Sequence, residues 1–315
     1  MALHFSSEEF ALRNRRTVEA LGNRKLDGLL MFRQESMYYL SGYDSFGYVF
    51  FQCLYLSADG GLMLLTRAPD LRQARHTSII EDIRIWTDGA DVDPAMQLKQ
   101  ILAEFGCKGR RLGVEYDAYG LTAKNGKLLD AALAGFCTLE DASDLVSRLR
   151  VVKSAAELEY VRKAAELADR ACDEAYRLSG PGADEGEILA AMQGVIFSGD
   201  GDYPGNEFII GSGEDALLCR YKSGRRKLDR QDRLVCPHCK QPVRVRAGTV
   251  KRWHFAHKHL KDCPLQHESP VRLAARAILY RWLRSKFKEA TVTLEKDLGK
   301  DFLPQPIVVG SVRCV

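Results

Sequence analysis

Along residues 1–148, the spacing of hydrophobic positions switches repeatedly between the period of a helix and the period of a strand, which predicts helices alternating with strands. Ser6 and Glu9 form a capping box, and the helix after them is expected to reach about Leu21 and to end at Gly22. Residues 37–43 predict a compact turn or a helix, and further helices are predicted at 70–77, 94–105 and 121–133. Short apolar runs predict strands at 26–32, 48–56, 61–65, 83–86, 111–114 and 137–139. This alternation is typical of an α/β domain.

A longer helical stretch occupies residues 149–233. Ser154 and Glu157 form a second capping box. After it, apolar residues recur at helical spacing at Leu158, Val161, Ala165, Ala168 and Cys172. Residues 179–182 break this helix, a second one is predicted from Asp184 to Phe197, and a strand is expected at 208–210. The helical pattern separates 149–233 from 1–148, and the change of charge described below separates 234–315.

The composition is that of a globular protein, with 46% apolar and 28% charged residues. No apolar run approaches the roughly 18 residues that cross a bilayer. The polar start also differs from a signal peptide, which needs an apolar core. We expect a cytoplasmic protein without membrane contact.

The net charge of +4 hides a change of sign along the chain. Residues 234–290 contain 13 Lys and Arg against 3 Asp and Glu, so the rest of the chain is net acidic. Such a change favours a module boundary and a tail that faces nucleic acid. A basic surface that only keeps a small module soluble is the alternative.

Cysteine and histidine cluster in this tail at the spacing of a zinc site. Cys236 and Cys239 form a C-x₂-C pair, and His254, His257 and Cys263 follow. Zinc prefers four Cys or His ligands, and a closed set of four makes a structural site. We expect one structural Zn ion on Cys236, Cys239, His257 and Cys263, with His254 as the substitute ligand. Buried free cysteines with surface histidines are the alternative, and the six scattered cysteines are expected to be reduced.

Cationic residues punctuate the β-hairpin that is predicted within this window. Arg244, Arg246, Lys251 and Arg252 are suited to neutralise phosphates, and Trp253 is suited to stack on a base. DNA or RNA bound through the basic tail is therefore a predicted partner. A homodimer through the N-terminal part is a further hypothesis.

Two weaker patterns are not assigned to ligands. Residues 211–216 imitate the G-x-G-x-x-A loop of dinucleotide-binding proteins, but the long helix that should follow is missing. Asp200 and Asp202 in a glycine-rich loop lack the spacing and the closing Glu of an EF-hand. We predict no catalytic and no cofactor-binding residue in the front part.

Ordered segments of the front part are similar to one enzyme family. LDGLLMFRQESMYYLSGYDSFGYVFF at 26–51, LLTRAPDLRQAR at 64–75 and LRVVKSAAELEYVRKAAELAD at 149–169 resemble the creatinase, prolidase and aminopeptidase P group of pita-bread metallopeptidases. PGNEFIIGSGEDALLCRYKSGRRKLDRQDRL at 204–234 looks most like the branch with bacterial dimethylsulfoniopropionate lyases. The resemblance implies a creatinase-type N-terminal α/β domain, then a partial α+β pita-bread domain. A strand and an R-x-x-K-S-x-x-E turn would lead into the first helix of that second domain.

The resemblance also implies what this chain lacks. Family members bind two metal ions through two Asp, one His and two Glu, all on strands beyond the point that this chain reaches at Leu234. There the sequence continues as VCPHCKQP, and Arg220 before Tyr221 stands where the peptidases carry a substrate-binding His. Two-metal hydrolysis needs those carboxylates. We therefore expect the chain to be inactive alone.

The tail resembles a second family. CPHCKQPVRVRAGTVKRWHFAHKHLKDCP at 236–264 and HESPVRLAARAILYRWL at 267–283 are similar to the zinc element of CoiA-like competence proteins, which precedes a nuclease domain. The order of C-x₂-C pair, basic hairpin, HFAH, Cys-Pro and Glu-Ser carries the resemblance. It implies a small zinc-binding α+β module at the C-terminus, and we expect this module to stop before the nuclease centre.

Three hypotheses for function follow. The first is a fusion of a metallopeptidase-like or lyase-like part, inactive alone, with the zinc module. A rearranged gene would explain the join, and half of a pita-bread sheet would expose apolar surface. The second is a zinc-dependent nucleic-acid-binding protein related to competence nucleases. The third is a metal-dependent hydrolase or lyase that a partner chain completes.

Overall fold

The computed structural model describes residues 3–87, 89, 92–203, 205, 208, 210–213, 215, 224 and 226–229, and the backbone of 234–235, 242–246 and 254–257. The chain divides into two compact units after Tyr160. The first unit therefore contains the predicted α/β domain and the start of the helix that follows it.

The first unit is built on a six-stranded mixed sheet. Its strands are β1 (Gly28–Met31), β2 (Cys53–Ser57), β3 (Leu62–Arg67), β4 (Asp82–Trp86), β5 (Arg111–Val114) and β6 (Thr138–Asp141), in the order β4-β3-β2-β1-β5-β6. β2 pairs antiparallel with β1 and β3, and the β3–β4, β1–β5 and β5–β6 pairs are parallel. Each predicted strand of this part is present. β2 begins later than predicted because residues 47–49 form a 3₁₀ turn.

Helices cover both faces of this sheet, so that β1 is buried on both sides. The helices are α1 (Ser7–Arg24), α2 (Gln34–Ser41), α3 (Leu71–Thr77), α4 (Pro94–Glu104), α5 (Ala123–Leu133) and α6 (Leu145–Arg150). Leu30 of β1 belongs to a core with Leu98 of α4 and Leu129 of α5. Its neighbour Leu29 belongs to the opposite core, with Leu21 of α1. The predicted α/β architecture of this part is confirmed.

Two details of the prediction for this unit are wrong. Gly22 does not end α1, which continues to Arg24. The terminating residue is Lys25, whose φ of 57° is left-handed and whose N–H bonds the carbonyls of Gly22 and Leu21. The strand implied before Ser154 is also wrong, because residues 145–150 form α6. Leu145 and Val146 of α6 are buried in the core that includes α1, which favours a helix lying on the sheet over another strand in it.

The second unit contains most of α7 (Ala155–Leu178) and all of α8 (Glu185–Ser198). Both predicted helix starts are confirmed by their caps. At the start of α7, Ser154 and Glu157 each accept a hydrogen bond from the other's backbone N–H. At the start of α8, the Asp184 carboxylate accepts from two backbone N–H groups of the first turn.

The strand predicted at 208–210 is wrong, since the described residues Phe208 and Ile210 lie outside any strand. A strand forms only where a partner takes up its backbone N–H and C=O groups. In the described part of this unit before residue 234, β-pairing is limited to an isolated bridge between Asp184 and Lys227.

The tail contains a three-stranded antiparallel sheet of β7 (Leu234–Val235), β8 (Pro242–Arg246) and β9 (His254–His257), in that order. The hairpin predicted from the sequence is confirmed as the β8–β9 pair. Among the helices that the structure describes, none has the length and apolar character that crossing a membrane requires.

Candidate functional site

The predicted tail residues fall partly on the β7–β8–β9 sheet. His254 and His257 are the first and last residues of β9, and Arg244 and Arg246 belong to β8. The other predicted residues lie outside the described part of the chain: Cys236, Cys239, Cys263, Lys251, Arg252 and Trp253. For the tail site, the structure therefore provides the pairing of backbone positions within this sheet.

This register distinguishes the two histidine positions. Val243 of β8 stands opposite Leu234 on one side and His257 on the other. His254 stands opposite Arg246, at the far end of β8. The two histidine positions are three residues, or about 10 Å, apart along β9. Position 257 is thus at the end of the sheet where the chain leaves β7 after Val235, directly before Cys236.

In the first unit, a buried carboxylate lies where β1 and β5 end. Glu115, the residue after β5, has no exposed surface. Its Oε2 accepts the N–H groups of Phe32 (3.1 Å) and Arg33 (3.0 Å), and its Oε1 accepts the hydroxyl of Ser36 (2.5 Å). Burial raises the pKa of Glu115 to about 7, and the hydrogen bonds from Ser36 and from the Arg33 backbone oppose this rise.

Glu115 acts as the cap of a helix that is distant in sequence. Arg33 is the N-cap residue of α2, and its own side chain makes no capping bond. The first N–H groups of a helix lack acceptors within that helix. The Glu115 carboxylate, directly after β5, is the acceptor for one of them, the N–H of Arg33. Acid–base catalysis would require this carboxylate to reach a substrate. Both of its oxygens are enclosed by protein donors, so its role is structural.

The Arg33 side chain ties the same edge of the sheet to α6. Its Nε donates to the Asp117 carbonyl (2.5 Å), its Nη2 to the Asp117 carboxylate (2.7 Å), and its Nη1 to the Ser147 hydroxyl (2.7 Å). Ligands of open α/β sheets often bind at such an edge. Here each of the three guanidinium nitrogens already donates one hydrogen bond to protein, so the described contacts of Arg33 are structural.

Sequence reasoning missed both Glu115 and Arg33. The available signal was an acidic residue directly after the apolar strand β5, and a basic residue two positions after β1. A charge at a strand end is usually solvated, so this signal was weak without knowledge that β1 and β5 are neighbours.

The pattern at 211–216 also has a structural role in its described residues. Glu185, which is buried at the start of α8, accepts the backbone N–H (2.7 Å) and the hydroxyl (2.5 Å) of Ser212. Arg226 donates to the same hydroxyl at 2.6 Å. A carboxylate on the Ser212 N–H occupies the place where a nucleotide phosphate would bind and repels negative charge. This contact agrees with leaving the pattern unassigned.

Within the described residues, His, Cys, Asp and Glu side chains do not gather in threes as a metal site requires. The cysteines of the predicted zinc site lie outside these residues.

Family profiles match three successive parts of the chain. Residues 13–152 match the Creatinase/Prolidase N-terminal domain, 159–237 match metallopeptidase family M24, and 219–266 match the N-terminal domain of competence protein CoiA. The front part of the chain is therefore similar to the creatinase, prolidase and M24 metallopeptidase family, which confirms the first resemblance. The tail match confirms the second resemblance, and the M24 and CoiA matches overlap at 219–237.

Individual relatives agree with this family. An uncharacterized hydrolase/peptidase of Sinorhizobium fredii is 29% identical over 64% of this chain and 53% of its own length. The ectoine hydrolase of Halomonas elongata is 26% identical over 69% of this chain and 58% of its own length. A dipeptidase structure from Pyrococcus horikoshii superposes with a TM-score of 0.56 at 25% identity, covering 70% of this chain and 59% of that one. The chain thus spans little more than half the length of the curated relatives it matches. The finer assignment to the dimethylsulfoniopropionate lyase branch stays a prediction.

Proposed function

We propose that this chain joins a creatinase-type front part, which holds no two-metal centre of its own, to a zinc-binding module that contacts nucleic acid. The observation that carries the proposal is the overlap of the two family matches. The M24 match ends at residue 237, and the CoiA match runs on through the cysteine pair to residue 266. The family resemblance would put the two-metal ligands beyond this point. The fusion origin and the inactivity of the front part are part of the proposal.

The proposed zinc ligands are Cys236, Cys239, His257 and Cys263. Two thiolates from a C-x₂-C pair clamp one side of the ion, and a later pair closes the set. The register of β9 supports His257 over His254, because position 257 is at the end of the sheet where the cysteine pair begins. Zinc in such a closed set supplies folding energy to a small module.

The proposed nucleic-acid contact uses the cations of the hairpin. Arg244 and Arg246 are two positions apart on β8, a spacing that predicts one face of the strand. Lys251, Arg252 and Trp253 precede β9 in the sequence. Phosphate neutralisation by such cations releases counterions and gives a salt-dependent affinity that does not depend on base sequence.

Purified full-length chain is expected to contain about one zinc ion, measured by plasma mass spectrometry after dialysis, because a closed Cys/His set is saturated by one ion. Cys236→Ser should lower this content to near zero. Cys172→Ser is the matched control and should leave it unchanged, since Cys172 is an exposed free thiol on α7. Two iron or manganese ions per wild-type chain would instead show a two-metal centre in the front part and overturn the proposal.

Labelled DNA or RNA is expected to shift in an electrophoretic assay at low salt and to be released as salt rises. The double variant Arg244→Ala/Arg246→Ala should lower the salt slope by up to about 2, because each lost phosphate contact removes roughly one unit. Arg15→Ala/Arg16→Ala removes two exposed cations of α1 and should leave the slope unchanged. The nucleic-acid part of the proposal fails if wild-type chain gives no shift even at low salt.

A second candidate is a metal-dependent hydrolase or lyase that a partner chain completes. The M24 match and the hydrolase relatives favour it. Hydrolysis or elimination by the isolated chain with added manganese or iron would support an active front part. Activity that appears only with a second polypeptide would support completion by a partner.

A further inference from the structure

The sheet of β7, β8 and β9, here called the tail sheet, has two faces of different chemistry. Residues that stand directly opposite each other in an antiparallel pair share one face, and so do residues two positions apart along a strand. Arg246 stands opposite His254, and Arg244 stands opposite Ala256. These four positions therefore lie on one face of the tail sheet, which we call the cationic face.

The other face of the tail sheet is apolar except for one histidine. Val243 stands opposite Leu234 on one side and His257 on the other, and Val245 stands opposite Phe255. A sheet with one apolar face buries that face against the rest of its module. The proposed zinc ligand at position 257 thus belongs to the apolar face, whereas the histidine at position 254 belongs to the cationic face.

The cationic face has no acidic position within the described strands. β7, β8 and β9 contain neither Asp nor Glu. The remaining positions of this face in the three strands are uncharged: Val235, Pro242 and Ala256. Two positive charges two positions apart on one strand, at Arg244 and Arg246, repel each other unless an anion neutralises them. The arrangement therefore favours an anionic partner from outside the tail sheet.

We propose that Arg246 and His254 bind the same phosphate group of a nucleic acid, and that Arg244 binds a neighbouring phosphate. This inference rests on the nucleic-acid contact proposed above, and it assigns His254 to that contact instead of to the zinc ion. Directly opposite positions of an antiparallel pair lie about 4.5–5.5 Å apart, close enough for two side chains to donate to one phosphate. Guanidinium and imidazole N–H groups both donate to phosphate oxygens. Phosphate contacts carry no direct sequence information, so the affinity should vary little with base sequence.

Zinc content and nucleic-acid affinity, measured on the same preparations of full-length chain, separate the two histidines. His254→Ala should keep one zinc ion per chain and weaken binding of a labelled oligonucleotide by about three- to tenfold at constant salt and pH, because one hydrogen bond is lost. His257→Ala should lose the zinc ion. His76→Ala, at an exposed histidine of α3, is the matched control and should change neither quantity. Loss of zinc from His254→Ala would overturn the assignment.

His254→Lys is a second variant at the same position. Lysine places a cation on the cationic face but is not a ligand of a closed Cys/His zinc site. The variant should therefore keep one zinc ion and bind the oligonucleotide at least as tightly as wild type. Weaker binding than that of His254→Ala, or loss of zinc, would contradict the proposed role of this position.

A double-mutant cycle tests the shared phosphate. Because Arg246 and His254 would bind one group, replacing both by alanine should weaken binding by less than the product of the two single effects. Single effects that simply multiply would overturn the shared phosphate.

The possible failures are distinguishable. If wild-type chain binds no oligonucleotide at low salt, the nucleic-acid contact proposed above and this assignment fail together. If wild-type chain binds and His254→Ala binds equally well with its zinc retained, this assignment alone fails, and the contact through Arg244 and Arg246 stands.

Discussion

Replacing Arg13 by alanine is expected to destabilise the first unit by about 3 kcal/mol. The Arg13 side chain is 2% exposed. Its Nε donates to Glu9 (3.0 Å) and its Nη1 to the Tyr39 carbonyl (3.1 Å), and Nη2 is 3.8 Å from the Glu157 carboxylate. The guanidinium carbon lies 4.0 Å from the Phe5 ring centre, a cation–π contact. The variant loses these contacts together and leaves a cavity between α1, α2 and the start of α7.

Both carboxylates near Arg13 retain some exposure, 15% for Glu9 and 16% for Glu157. Water can therefore reach them after the substitution, which places the expected loss at the lower end for a broken buried ion pair. Urea unfolding in a background without Trp253 and Trp282 measures the effect, because Trp86 of the core then reports alone. Arg13→Lys should give an intermediate loss, since it keeps the charge but not the planar fork. Arg16→Ala, an exposed position on α1, should cost less than about 0.5 kcal/mol; a loss as large as that of Arg13→Ala would contradict the argument.

The stability of the first unit is expected to fall between about pH 5 and pH 8 through Glu115. Its pKa in the folded chain is about 7, above the ordinary value of 4.5. Where the pH lies between these two values, the folded state holds a proton that the unfolded state has lost, so rising pH favours unfolding. The stabilising contribution of Glu115 is complete below its pKa in the unfolded chain, and it is lost as pH rises through its pKa in the folded chain. Its size is on the order of 2 to 3 kcal/mol.

Glu115→Gln removes this titration while keeping the shape of the side chain. Its unfolding free energy is expected to approach or exceed that of wild type at pH 8 and to fall behind at pH 5, since only wild type gains from proton uptake. Urea unfolding at both pH values measures the difference. Glu19→Gln, an exposed carboxylate on α1, is the control, and its curve should run parallel to wild type. A Glu115→Gln curve that also runs parallel would show that this carboxylate does not titrate in the range.

Much of the fold was predictable because its signals are local. Capping boxes at Ser6 and Ser154 located two helix starts, and short apolar runs located the six strands of the first sheet. The hairpin of the tail followed from the same kind of pattern. The errors also have local causes. Gly22 is an ordinary stop signal, but Lys25 adopts the left-handed conformation instead, and the predicted strand at 208–210 lacks a partner among the described strands.

The candidate sites also divide into features that the sequence indicates and features that depend on the structure. The spacing of cysteine and histidine in the tail is a sequence signal. The zinc ion and the contact between the tail and nucleic acid remain proposals that rest on the sequence. The homodimer through the N-terminal part and the cytoplasmic location also stay predictions. The sequence already favoured His257 and kept His254 as a substitute, and the register of β8 and β9 supports the same preference.

The sequence by itself determined the two kinds of module, their order, and most helix and strand positions, since periodicity, capping and cysteine spacing act over a few residues. Tertiary structure alone decided that Glu115 caps α2 and that Arg13 is buried between two helices. Each of these depends on which distant segments become neighbours. That choice is made by packing of the whole core, and short stretches of sequence carry little information about it.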